Sequence, residues 1–140
     1  WENPEATAEA LTDDGWCTVG DMGRHDDEGY LYLVDRKKDL IISGGVNVFP
    51  REIEEVLVAH PGVSEASVIG VPDEEWGEAV KAIVVKSGEV TDADLESYCR
   101  ENLAKYKIPK TFAYLEVLPR NAGGKILKTE LRKRSRAGSL

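Results

Sequence analysis

PREIEEVLVAHPGVSEASVIGVPDEEWGEAVKAIVV, residues 50–85, decides the fold. Pro50 suits the first turn of a helix, where its missing N–H leaves nothing unsatisfied. Ile53, Val56 and Leu57 recur at helical spacing, and Glu52, Glu54 and Glu55 put negative charge at the positive end of that helix. His60-Pro61-Gly62 stops it. Residues 63–71 and 80–85 are apolar, β-branched runs of strand length, separated by the charged loop 72–78.

Outward on the C-terminal side, Thr91 and Asp94 have capping-box spacing. Leu95, Tyr98, Cys99, Leu103 and Tyr106 form one helical stripe that Pro109 ends. Residues 111–117 read as a third strand and 129–136 as a final, very basic helix. On the N-terminal side, residues 30–34 and 40–42 read as strands joined by the charged link 35–39, which predicts a small hairpin. The expectation is an α+β domain: a small mixed sheet of about three strands with flanking helices, preceded by a short β-hairpin. Residues 1–28 hold few apolar side chains beyond a short helix near 4–11. They are expected to pack loosely, with Asp21 outside the core.

The 140 residues allow one compact domain, and 41% hydrophobic with 31% charged residues reads as a soluble protein. No apolar run approaches the ~20 residues of a transmembrane helix, and no signal segment opens the chain. A start at Trp1, with Met22 the only methionine, leads us to expect a fragment. Cys17 and Cys99 make neither a disulfide framework nor a zinc spacing; free thiols and a cytoplasmic location are expected, and no metal site. Residues 1–99 carry 7 basic and 23 acidic side chains, whereas residues 100–140 carry 11 and 3. That asymmetry fits a local phosphate contact, and the net charge of −8 opposes nucleic-acid binding.

Four features carry chemistry. Gly15-Trp16-Cys17-Thr18-Val19-Gly20-Asp21 ends in a carboxylate that can accept two hydroxyl donors. The run DRKKDLIISGGVNVFPREIE, residues 35–54, leads from a charged turn to Gly44-Gly45, a pair that marks unusual backbone geometry or the close approach of another group. PRNAGGKILK, residues 119–128, sets Lys125 behind two glycines as a compact charge able to meet developing negative charge. It lacks the spacing and terminal Ser/Thr of a P-loop. Trp76 is a large apolar ring on an acidic loop.

Together these segments resemble the end of an adenylate-forming enzyme, in the form of an acyl-CoA synthetase (fatty acid–CoA ligase); the likeness runs over nearly all the chain except the tail after about Arg134. The resemblance implies a two-step ligase that makes acyl-adenylate from a carboxylic acid and ATP, then transfers the acyl group to CoA. It implies Lys125 as the adenylation lysine, Asp21 and Arg36 on ATP/AMP, and Lys38 as the hinge of a rotating domain. It further implies Gly44 and Gly45 beside the pantetheine arm, with Trp76, Tyr106 and Lys110 on the CoA nucleotide. Lys128 serves as an internal control expected to matter far less for adenylation than Lys125. Thr18-Val19 and Ile108 depart from the family pattern.

On the resemblance, residues 1–34 are the tail end of the N-terminal adenylation domain and 35–140 the mobile C-terminal domain. The partners are then the missing N-terminal domain, a small carboxylic acid and CoA. ATP, Mg2+ and CoA are used by the full-length enzyme, none of them tightly held by this fragment, which is expected to be inactive alone. A peptide-synthetase adenylation fragment, a free-standing CoA- or nucleotide-binding module and a purely structural domain stay open as alternatives. Ser-Gly-Gly-Val-Asn-Val-Phe-Pro at 43–50 favours the CoA ligases.

Overall fold

The computed structural model describes residues 2–140 and divides them into two compact units, with the boundary between Lys38 and Asp39.

In the first unit, helix α1 (Pro4–Glu9) starts with proline in its first turn and with the Asn3 side chain accepting the Ala6 N–H at 3.1 Å. Strands β1 (Asp21–His25) and β2 (Leu31–Arg36) pair antiparallel. The turn between them is held by Asp26, whose carboxylate accepts the N–H groups of Glu28 and Tyr30 and the Tyr32 hydroxyl. The Tyr30 N–H is the main reason that this carboxyl lies below the ordinary aspartate range. Among residues 2–38 none is buried, and Asp21 is exposed.

The second unit carries the core. Strands β3 (Ile41–Ser43) and β4 (Val46–Val48) precede helix α2 (Pro50–Val58), then come the long strands β5 (Val63–Asp73) and β6 (Gly77–Lys86). Helix α3 (Asp92–Asn102), strand β7 (Thr111–Tyr114) and helix α4 (Lys128–Arg136) complete it. The sheet has five strands: β6 pairs antiparallel with β5 along one edge, and on the other meets β3 at Gly77 and runs parallel to β7 over Lys81–Val84. Side-chain alternation explains the unbroken apolar runs, since both faces are covered. Val68, Val80, Ala82 and Val84 bury against Ile53 and Leu57 of α2 and Leu95 and Cys99 of α3. Ile69, Ile83 and Val85 bury against Leu118 and Leu131, the latter on α4. Burial pushes the Cys99 thiol up to about 11, while Cys17 is exposed.

The α+β class stands, with five strands in place of about three. Three local expectations are corrected. Residues 30–34 and 40–42 do not form a hairpin: β2 turns back onto β1, and β3 pairs with β4 and β6. The charged link instead makes a 3-10 turn, Lys37–Asp39, at the boundary of the units. The helix predicted to reach Tyr106 ends at Asn102, whose side chain donates to the Tyr98 carbonyl at 2.8 Å, and Leu103 is extended. Tyr106 sits on a separate 3-10 turn, Lys105–Lys107. The strand expected over residues 111–117 ends at Tyr114. The capping box is present, with reciprocal bonds between Thr91 and Asp94. Among the described residues no helix is long and apolar enough to cross a membrane.

Candidate functional site

The start of β6 and the turn before it build a groove. Trp76 closes the β5–β6 turn, and its carbonyl accepts the Gly44 N–H at 2.9 Å. Glu78, on β6, accepts the Ile42 N–H at 2.9 Å, so the short β3–β4 hairpin is tied to β6 at two points. Gly44 has φ +57, and a Cβ there would stand 2.5 Å from Cε3 of the Trp76 ring. Glycine is thus demanded twice, by the left-handed backbone and by the indole lying on it. Gly45 follows it and is exposed.

Opposite this wall lie Tyr106 and Lys110. Lys107 anchors the turn that carries Tyr106: its ammonium bridges both oxygens of Glu52 on α2 at 2.7 Å, and that carboxylate raises its pKa. Lys110 stands 5.4 Å from the centroid of the Trp76 ring and pairs with Asp73 at 3.1 Å. Ser43, Gly44, Val46, Trp76, Tyr106 and Lys110 all line one groove of about 500 Å³, with Lys105 and Ile108 beside them. The structure therefore brings together Gly44, Trp76, Tyr106 and Lys110, which are scattered over 67 positions of sequence, 44 to 110 inclusive. Two half-exposed aromatic rings and a cation in an apolar hollow suit a flat base bearing an anionic group.

Lys125 stands elsewhere, on an exposed loop between Leu118 and α4. Asn121 holds the loop closed, its side-chain oxygen accepting the N–H groups of Gly123 and Lys125 at 3.0 and 2.9 Å. The Asn121 N–H donates to the Lys125 carbonyl at 2.9 Å, and Gly124 takes φ +80 to make the turn. Both feet are staked. Arg120 pairs with Glu65 of β5 and donates to the Gly124 carbonyl at 2.7 Å. Lys128 pairs with Glu54 of α2 at 2.7 Å, with both side chains more than three-quarters buried, and Glu54 also accepts the Val68 N–H. Among the described residues the Lys125 ammonium has no ion-pair or hydrogen-bond partner.

Within the first unit, Asp21 and Arg36 face each other across β1–β2 and pair at 3.3 Å. Lys38 is its last residue and is exposed. Among the described residues no group of three or more His, Cys, Asp or Glu side chains is placed to hold a metal ion. Asp73, Lys105, Asn121 and Arg120 escaped the sequence reading. Of these only Asn121, two residues before a Gly-Gly-Lys run, has a local signal, that of an Asx turn.

A sheet covered on both faces, with a walled glycine loop on one hairpin and, on another loop, a lysine unpaired among the described residues, defines a small α+β domain. The chain belongs to the family of AMP-binding enzyme C-terminal domains, whose pattern matches residues 52–125. It is 56% identical over 133 residues to the long-chain-fatty-acid–CoA ligase FadD13 of Mycobacterium tuberculosis, covering 94% of this chain and 26% of that protein. Among solved structures it is similar to ATP-bound MatB of Rhodopseudomonas palustris, with TM-score 0.89, 40% identity, and coverage of 100% of this chain and 28% of that one. It is also similar to o-succinylbenzoate CoA synthetase (MenE) of Bacillus subtilis in complex with the acyl-adenylate intermediate OSB-AMP. There the TM-score is 0.86 and the identity 46%, with coverage of 94% of this chain and 27% of that one. The chain thus spans about a quarter of the length of these relatives.

Proposed function

We propose that this chain is the C-terminal domain of an ATP-dependent acid–CoA ligase, whose acid the FadD13 likeness favours as a fatty acid. The observation that carries the reading is the groove, where Gly44, Trp76, Tyr106 and Lys110 converge into a cradle suited to the CoA nucleotide. In the first half-reaction the acid carboxylate attacks the α-phosphorus of ATP, giving acyl-adenylate and pyrophosphate. In the second the CoA thiol attacks the acyl carbon and AMP leaves. The unpaired Lys125 ammonium meets the charge that grows between carboxylate and phosphate in the first step. Gly44 and Gly45 line the path of the pantetheine arm in the second.

Asp21 accepts the ribose hydroxyls, and Arg36, already paired with it, reaches the nucleotide. Magnesium accompanies ATP and offsets its phosphate charge, with its ligands assigned to the N-terminal domain. Residues 1–34 are read as the end of that domain and 35–140 as the part that rotates about Lys38. The division of the chain after Lys38, and the lack of buried residues in 2–38, support this organisation. The proposed enzyme works in the cytoplasm, where ATP and CoA are available.

The test is made in the full-length ligase by following the two half-reactions separately. Lys125→Ala is expected to slow pyrophosphate release ~100- to 1,000-fold, the usual size of one charge-stabilising group. It is expected to leave thioester formation from supplied acyl-adenylate near its original rate. Equal loss in both half-reactions, or none in the first, refutes the assignment.

A further inference from the structure

Asp73 ends β5 and touches two residues that line the groove, Trp76 and Lys110. Its Oδ1 accepts the N–H groups of Glu75 and Trp76 at 3.1 and 3.0 Å, and its Oδ2 takes the Lys110 ammonium at 3.1 Å. The hydrogen bond from Lys110, and then that from the Trp76 N–H, hold its carboxyl below the ordinary aspartate range. The Trp76 ring in turn lies on Gly44, and the Trp76 backbone carbonyl accepts the Gly44 N–H. One carboxylate therefore fixes the backbone turn that carries Trp76, the cation near its ring and, through the Trp76 carbonyl, the glycine loop.

It also shares the cation. A lysine ammonium has three donors, and one of those on Lys110 is committed to Asp73. An anion that approaches Lys110 meets a charge already half-answered, with a carboxylate beside it. Lys105, the other cation lining the groove, has no carboxylate partner among the described residues. A plain turn-capping role for Asp73 leaves this sharing without consequence, because an asparagine oxygen accepts the same two N–H groups.

We propose that Asp73 is the positioning and selectivity residue of this groove. It holds the Trp76 turn and Lys110 in place for a base-plus-phosphate ligand, and by sharing Lys110 it limits the preference for CoA, which has a 3′-phosphate beside its adenosine, over dephospho-CoA, which lacks it. The proposal rests on the reading of the groove as the CoA nucleotide site.

The experiment is an NMR titration of the 140-residue chain with CoA and, separately, with dephospho-CoA, read at the Trp76 indole N–H. Such a titration reports even millimolar affinities. Asp73→Asn keeps both turn hydrogen bonds and removes the competing charge. It is expected to raise the ratio of CoA to dephospho-CoA affinity about fivefold, as befits removal of one nearby screened charge. Lys110→Met is expected to bring the ratio down towards one, and Asp73→Ala to shift the unliganded Trp76 signal and weaken both ligands. A ratio unchanged in Asp73→Asn while both ligands still bind overturns the role of Asp73 and leaves the CoA site standing. A wild-type ratio in Lys110→Met does the same. If neither ligand moves the Trp76 signal of the wild-type chain, the groove reading itself falls and this proposal with it.

Discussion

The two glycine loops of this chain use the same residue for different reasons. Gly44 and Gly124 both take a left-handed backbone, at φ +57 and +80. A Cβ on Gly44 meets the Trp76 ring at 2.5 Å, whereas a Cβ on Gly124 meets nothing within 4 Å. The first loop is glycine because another group occupies the space; the second is glycine only because the chain must turn. The first is therefore part of a wall, and the second a pedestal that leaves the Lys125 side chain unobstructed.

The comparison breaks or sharpens under substitution. The largest effect is expected at Gly44→Ala, where left-handed strain adds to a clash, for about 2–4 kcal/mol of lost stability in urea unfolding. In a Trp76→Ala background the clash disappears, and the same change is expected to cost only about 1–2 kcal/mol. Equal costs in both backgrounds would show that the indole does not define the loop. Lys128→Ala comes next. It cuts the largely buried bridge to Glu54 and is expected to lower stability by about 1–2 kcal/mol. In the proposed full-length ligase it is expected to slow adenylation far less than Lys125→Ala.

Gly124→Ala follows at about 1 kcal/mol, strain alone, and is expected to be independent of Trp76. Asn121→Ala costs a similar ~1 kcal/mol through the two N–H groups it leaves unpaired, with Asn121→Asp largely restoring it. The smallest change lies in neither loop. Ser67 is fully buried on β5 and its hydroxyl has no hydrogen-bond partner among the described residues, so Ser67→Ala is expected to raise stability by up to ~1 kcal/mol while shifting no signal of Gly44 or Gly124. A loss instead of a gain would reveal a water bound at that hydroxyl.

Parts of this architecture were legible because their causes are local. Pro50 and the 53-56-57 stripe announce α2, the Thr91–Asp94 box starts α3, and the two-sided apolar runs mark β5 and β6. Other parts depend on partners far away in sequence. Residues 30–34 and 40–42 looked like a hairpin because a charged link separates them, yet β3 finds β6 through Ser43 and Gly77. The end of α3 was misplaced because the stripe continues in phase to Tyr106 while Asn102 ends the helix with a side-chain bond. At the site, Gly44, Trp76, Tyr106 and Lys110 were reached through motif likeness, and only the fold puts them in one groove. Asp73 carried no signal and Glu54 only that of a helix-start acid, since an acid on an acidic loop or helix looks like any solvated charge. Their importance arises from Lys110 and Lys128, 37 and 74 positions further on.

The exposed strand β2 has a practical consequence. Leu31 and Leu33 remain 72% and 63% accessible on a two-stranded ribbon with a free edge. Such an edge is a template for strand addition between copies. Association between copies in concentrated solution is therefore expected to begin at residues 2–38, in the unit that holds none of the core.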